Sequence, residues 1–413
     1  VDPFSTRTIP YDERLNLNQG HFDKRPWAFF GAIFALMLAA ANLRGGLVII
    51  GPLVADMRAD LGVSASAFGM LMTLPLICFG LISLLVPSLA RRIEPLQVVL
   101  LAIIVIAIGA ALRLVINFPV MLFGTLLLGT GVAILNVLIP GLVKGLFPRQ
   151  SGSLTGLYTL ILTLGATLSI LSAVPMRDYF GSWQAPMVVW ALLPLLAALV
   201  WLPMLRVKFT PKNMPTPSTS AWRLPRAWAL MAFMGLQSSV FYVLATWLPR
   251  LLMDSGYSDI YAGNLTSLLA LVGLPAAFII PIAAGRLETQ RPLVLMILIT
   301  GLAGLFGLLL MPERFAEVWV SLLGIYGGSS LSLALVLFAL KTHDMRQATS
   351  LSAMVQGLGY LGASLTPSIV GAIYDFSHEW TLVIWSLIVI IILQNTAGWV
   401  VCGRGKIDEK HSV

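Results

Sequence analysis

The chain has 413 residues and a formal net charge of +8; 58% of its residues are hydrophobic and only 11% are charged. Soluble globular domains carry about 25% charged residues, and apolar runs of roughly 20 residues recur along this chain, so a soluble fold is excluded and an all-α polytopic membrane protein is expected. The basic balance does not indicate nucleic acid, because Lys and Arg stand singly or in pairs between apolar runs, and Cys78 and Cys402 suggest neither a disulfide framework nor a metal site.

Residues 1–26 are polar, lack the apolar core of a signal peptide, and read as a disordered cytoplasmic tail. Twelve spans are then expected, near 27–51, 65–89, 96–116, 119–142, 153–173, 184–204, 226–252, 261–284, 292–311, 316–340, 348–373 and 378–401. The first six form an N-terminal bundle over 27–204 and the last six a C-terminal bundle over 226–401. Between them, residues 205–225 read as a cytoplasmic linker, since TPKNMPTPSTS is rich in Pro, Ser and Thr and has no apolar periodicity. Residues 402–413 form a second cytoplasmic tail.

Charge sets the expected orientation. Twenty of the 26 Lys and Arg fall in the tails and in the loops on the tail side, five fall on the other side, and Arg44 remains. This positive-inside bias places both termini in the cytoplasm.

An internal repeat supports two halves. LTGLYTLILTLGATL (Leu154 to Leu168) aligns with LSAMVQGLGYLGASL (Leu351 to Leu365) at an offset of 197, and the same offset carries Gly131 onto Gly328, Lys144 onto Lys341, Arg149 onto Arg346 and Pro52 onto Pro249. Two parallel six-helix repeats with a cavity between them form a known transporter architecture. The turns at Leu89-Ala90-Arg91-Arg92 and at Gly285-Arg286 with Arg291 resemble, in degenerate form, the loop motif of the major facilitator superfamily; they lack its Asp.

A closer likeness lies in longer stretches. Asn42-Leu43-Arg44, Ile50-Gly51-Pro52-Leu53, Leu71-Met72-Thr73-Leu74-Pro75-Leu76, Gly129-Thr130-Gly131 and Asn136 through Lys144 resemble the cyanate and 2-nitroimidazole permeases of that superfamily. So do Leu154-Thr155-Gly156-Leu157-Tyr158, Gln237-Ser238-Ser239-Val240-Phe241-Tyr242, Trp247-Leu248-Pro249 and Gly256-Tyr257-Ser258, and the likeness runs through most of residues 27–402. Leu43, Phe241, Tyr242 and Trp247-Leu248-Pro249 look more like the 2-nitroimidazole branch. The resemblance implies the major facilitator fold of two pseudo-symmetric six-helix bundles, no cofactor, no covalent chemistry, and a cavity lined by the first, fourth, seventh and tenth spans with help from the fifth, eighth and eleventh.

Arg44 is the leading candidate for contact with a solute. It lies about 26 Å along a helix starting near Trp27, at ~1.5 Å per residue, where a charge costs roughly 2.5–3.5 kcal/mol on insertion scales. The 18 acidic residues all fall in tails, loops or span ends, and none of the four His lies mid-membrane, so no carboxylate of similar depth pairs with Arg44. A structural clamp held by carbonyls or amides is the rival role. On a continuous helix Arg44 shares a face with Ala40, Ala41, Leu47 and Val48, with Asn42 about 200° away. The other candidates are Asn42, Asn136, Gln237, Ser238, Tyr242, Gln356 and Tyr360, against interhelical hydrogen bonding as the plain alternative; Tyr158 and Tyr326 lean further toward the plain role. Ser238–Tyr242 and Gln356–Tyr360 are spaced to share a helix face. Arg113, near the outer end of the third span, is expected to snorkel to the headgroups.

One cation, neutral polar groups and aromatic walls suit a flat polar ring or a small linear anion. The expected function is secondary transport of a small polar or anionic solute, such as 2-nitroimidazole or cyanate, by a monomer in a bacterial inner membrane. The lipid bilayer is the other partner, and coupling to a proton or counter-solute stays open. Efflux of diverse amphipathic compounds and a non-transporting solute receptor are the rivals. The first should carry a wider apolar cavity and a titratable acid, the second an output domain; an enzyme is disfavoured without a mid-span His, Asp or Glu cluster.

Overall fold

The computed structural model describes residues 26–207 and 221–408. The expected tail at the N-terminus, most of the linker and the last five residues therefore lie outside the described residues. The first span is built from three helical pieces, α1 (Pro26–Ala41), α2 (Gly45–Val48) and α3 (Val54–Leu61). The next five spans are α4 (Ala65–Arg92), α5 (Pro95–Leu112), α6 (Phe118–Leu146), α7 (Ser151–Phe180) and α8 (Gln184–Trp201). The second half comprises α9 (Pro225–Asp254), α10 (Asp259–Arg286), α11 (Arg291–Leu310), α12 (Ala316–Leu340), α13 (Met345–Ser377) and α14 (Trp380–Val401).

Eleven helical segments among the described residues are long and apolar enough to cross a bilayer. The remaining span is α13, 33 residues long. Its buried face carries Gln347, Thr349, Ser352, Gln356 and Tyr360, which lowers its hydropathy and marks it as a helix that packs within protein. Leu81, Leu85, Leu199 and Ile299 are exposed on other helices, as lipid-facing positions require.

Local chemistry starts and stops these helices. Ser64, Asn117, Ser258 and Asp344 accept from the backbone N–H three residues on, the usual N-cap bond. The repeat recurs at this level: Gly62 and Gly256 both have positive φ, and each stands two residues before a capping serine, Ser64 or Ser258. A left-handed turn favours Gly because a Cβ would clash. The offset there is 194, so three residues separate this register from that of the spans on either side. At the outer ends, tryptophans 197 apart meet carboxylates that keep the 194 offset: Trp183 donates to Asp60 at 2.6 Å and Trp380 donates to Asp254 at 3.0 Å. Arg177 bonds Asp56, and its repeat equivalent Tyr374 bonds Asp254.

The two halves meet through α4 and α13 and through α7 and α10. Toward the basic end, where the loop and tail arginines and lysines lie, the approach is close enough to exclude side chains. A Cβ on Gly152 would lie 2.8 Å from the Pro281 carbonyl oxygen and 3.3 Å from Gly285 Cα. Without a hydrophobic drive between helices in lipid, such small-residue contacts supply the packing. Residues 402–408 strap across the same end of the second half: Gln290 N–H and the Thr289 hydroxyl donate to the Cys402 carbonyl, Ile407 N–H donates to the Lys341 carbonyl, and Asp408 accepts from Gln347 and pairs with His343.

Gly152→Leu should hold the basic ends apart. Spin labels at Arg149→Cys and Leu287→Cys, with buried Cys78 and Cys402 left in place, should report a longer mean distance in the leucine variant. An unchanged distance would show that the contact is not limiting.

Candidate functional site

The first span does not run through as one helix. α1 ends at Ala41, residues 42–44 form a turn, and α2 restarts at Gly45 with Arg44 as its N-cap. Asn42 folds its amide back to the Leu38 carbonyl at 2.8 Å, and Asn42 and Leu43 N–H groups bond to carbonyls three residues back. This corrects the angular placement expected of Arg44: the face shared with Ala40, Ala41, Leu47 and Val48 requires an unbroken helix.

Groups from neighbouring spans stabilise the break. The Ser169 hydroxyl on α7 donates to the Gly45 carbonyl at 2.7 Å, and the Arg113 guanidinium, through Nη1, donates to the Gly46 carbonyl. The Trp190 ring occupies the place a side chain at position 45 would need, with 2.4 Å from a Cβ there to Trp190 Cζ3. The Gly45 carbonyl also accepts from the Ile49 N–H, while at Gly46, near the end of α2, the guanidinium supplies a donor that lipid does not offer. Pro52 sits in a second irregular turn, Gly51–Leu53.

The break places the half-buried Arg44 at the interface between the halves. Its guanidinium carbon lies 5.3 Å from the centroid of the Phe241 ring on α9. The Tyr360, Tyr242 and Tyr158 phenols lie close enough to feel the guanidinium charge. Phe79 on α4 packs on Tyr360, ring centroids 5.4 Å apart, and Phe241 stands edge-on to Tyr242 at 5.4 Å. No carboxylate among the described residues forms an ion pair with Arg44. A permanent cation faced by aromatic rings and phenol groups can receive an anion or a polarisable planar ring.

Of the residues expected at the site, Arg44, Tyr242 and Tyr360 come together. Asn42 serves the turn beside them. Gln356 donates to the Asn136 carbonyl at 2.9 Å and to the Ser352 hydroxyl at 2.7 Å, so its amide bridges α13 to α6 across the two halves. Asn136 meets it through its backbone. Gln237 donates to Ser238 at 2.7 Å, and both are buried on α9. The shared faces expected for Ser238–Tyr242 and Gln356–Tyr360 thus carry different engagements at their two ends. Tyr326 bonds Gln394 inside the second half, the plain role. Tyr158, 2% exposed, is close enough to feel Arg44.

Two aromatic residues of the cluster were not among the candidates, Phe79 and Phe241. For Phe241 a signal exists in the sequence: it stands 197 residues after Arg44, the offset of the repeat. The cation and the ring it faces are equivalent positions of the two halves. Arg113 also departs from expectation. It is 2% exposed and turned into the first half, so it does not snorkel to headgroups; the carbonyl exposed by the first-span break draws it inward.

Residues 28–367 match the Major Facilitator Superfamily. The chain belongs to this superfamily. It is 37% identical to the uncharacterized transporter YycB of Bacillus subtilis, covering 90% of this chain and 92% of that protein. Its identity to the 2-nitroimidazole transporter of Escherichia coli is 33%, covering 91% and 95%. To the cyanate transport protein CynX of E. coli it is 27% identical, covering 85% and 91%. The fold matches that of FucP, a superfamily transporter solved in the outward conformation, with a TM-score of 0.72 at 14% identity, over 92% of this chain and 99% of that one. The protein is a secondary transporter that moves a small solute across a membrane by alternating access.

The Arg44–Phe241 contact is open to a double-mutant cycle. Arg44→Gln and Phe241→Leu should show a coupling of about 0.5–2 kcal/mol in unfolding free energy. Strictly additive effects would mean that the two side chains do not interact.

Proposed function

We propose that the protein moves a small planar or linear polar solute, of the class of a nitroimidazole or cyanate, across the bacterial cytoplasmic membrane, with Arg44 as its electrostatic host. The observation that carries this reading is the environment of Arg44: its partners are a phenyl face and phenol groups, so its charge is left for a ligand to complete. Phe241, Tyr242 and Tyr360 supply ring faces and hydroxyls suited to a flat heterocycle or a pseudohalide. The names of the E. coli relatives point to the same solute class. The gathered basic loops argue for cytoplasmic termini, and hence for a cavity alternately open to the periplasmic and cytoplasmic sides.

The halves divide near residues 27–204 and 226–401 in this reading, with Arg44 of one and Phe241 of the other meeting on the pseudo-symmetry axis. Gln356 and Asn136 then belong to the contact that opens and closes, while Gln237 and Ser238 stiffen α9 behind Tyr242. Coupling to protons through a mid-span acid is disfavoured, since no Asp or Glu pairs with Arg44 among the described residues.

Proteoliposomes carrying the protein should take up 2-nitroimidazole or cyanate, tested with and without a proton gradient. Arg44→Ala should reduce that uptake by at least about tenfold while keeping the folded melting profile; about 1.4 kcal/mol of lost binding is tenfold. Full uptake by folded Arg44→Ala would rule out Arg44 as the solute's host.

A further inference from the structure

Pro140 stands inside α6. The Asn136 carbonyl would take its helical bond from the N–H of residue 140, and proline has none. That carbonyl accepts instead from the other half, where Gln356 on α13 donates Nε2–H to it at 2.9 Å. The same amide nitrogen donates to the Ser352 hydroxyl at 2.7 Å, one turn back on α13, which fixes how the amide points. Gln356 is fully buried, and its Oε1 has no donor among the described residues, so the side chain is held through its N–H groups.

Small residues let α13 reach that carbonyl. A Cβ on Gly141 would lie 2.3 Å from the Thr349 hydroxyl oxygen, and one on Gly357 would lie 3.1 Å from the Gly80 carbonyl oxygen. Between Thr349 and Gly357, then, α13 is seated against α6 and α4 of the first half, with Gln356 at the inner end of the seam. Tyr360, near Arg44, is the next turn along α13, about 6 Å further from the basic end at ~1.5 Å per residue. The Gln356 bond therefore lies on the basic-end side of the solute site. The repeat does not supply it twice. At the offset of 197 Pro140 falls on Leu337 and Gln356 on Thr159, and Thr159 donates to the Thr155 carbonyl of its own helix at 2.7 Å.

We propose that Gln356 is a latch on the closure at the basic end: its amide fills the carbonyl that Pro140 leaves free, and the closure parts by giving that bond up. One hydrogen bond shifts a two-state equilibrium by about 2–13-fold, enough to bias a closure without locking it. Gln356 is a positioning residue here, acting on the solute path through the approach of the two halves. The inference rests on the placement of Gln356 and Asn136 in the contact that opens and closes, and it holds for any solute.

The test follows a buried position in the seam. Thr349→Cys, in the full-length protein in lipid nanodiscs, should react with N-ethylmaleimide as often as the basic end opens, and buried Cys78 and Cys402 report unfolding in the same sample. Adding Gln356→Met should speed labelling at position 349 by about threefold or more and leave Cys78 and Cys402 as slow as before. Pro140→Ala returns a helical donor to the Asn136 carbonyl, so in that background Gln356→Met should change the rate by less than about twofold. An unchanged rate in Gln356→Met would overturn the latch. So would an equal acceleration in the Pro140→Ala background, which would make the effect one of packing. Should Gln356→Met unfold the protein, seen as fast labelling of all three cysteines, Gln356→Asn takes its place with the same two outcomes, since it is one methylene too short for the bond. Failure to take up 2-nitroimidazole or cyanate would count against the solute reading and leave these rates untouched.

Discussion

Arg44 sets a guanidinium in a membrane span, where a charge costs roughly 2.5–3.5 kcal/mol on insertion scales. The ring of Phe241 returns about 0.5–2 kcal/mol of that. The balance has to come from the Tyr360 hydroxyl, from water reaching a half-buried side chain, or from a solute. A carboxylate partner would cancel the charge and leave an inert clamp. Its absence among the described residues keeps the positive potential available at the interface between the halves, and the surrounding architecture holds it there. The α1–α2 turn presents the side chain, Ser169 and Arg113 bond the Gly45 and Gly46 carbonyls of α2, and Gly45 lets Trp190 close over the backbone.

The cation and the ring it meets stand at one offset of the repeat: positions 44 and 241 are 197 apart, and their side chains face each other. Two arginines at those positions would repel, and two phenylalanines would offer no charge. Divergence of the repeat has placed a cation on one side of the axis and a π face on the other. At the outer ends the repeat has kept its chemistry, with Trp183 and Trp380 each anchored to a carboxylate. The outer ends have stayed alike while the centre has diverged.

Between centre and basic end, small residues and one amide close the molecule. Gly152 against Gly285 lets backbones touch, and Gln356 reaches the Asn136 carbonyl across the gap. These contacts are local and individually weak, which suits a joint that must come apart. The glycine contacts come from packing alone. The Gln356 bond is directional and fixes register when the ends are together.

Much of this was legible in the sequence. Apolar runs of span length, the clustering of Lys and Arg on one side and the offset of 197 all follow from the bilayer's demand for continuous apolar helices, so they give the twelve spans and the repeat without coordinates. The isolation of Arg44 from acids was legible for the same reason, since depth in a span is nearly a linear function of position. Side-chain direction was not. A single-helix reading of residues 27–51 missed the turn at 42–44, because an Asn and two glycines are tolerated in an unbroken span as readily as in a broken one. Arg113 inside the protein rather than among headgroups, Gln356 as a cross-half bridge and Phe79 beside Tyr360 all depend on contacts between residues distant in the chain. Where charge can sit along the membrane normal follows from the composition of each single span. What each charge faces depends instead on how helices from different halves rotate and break against one another, which no single span encodes.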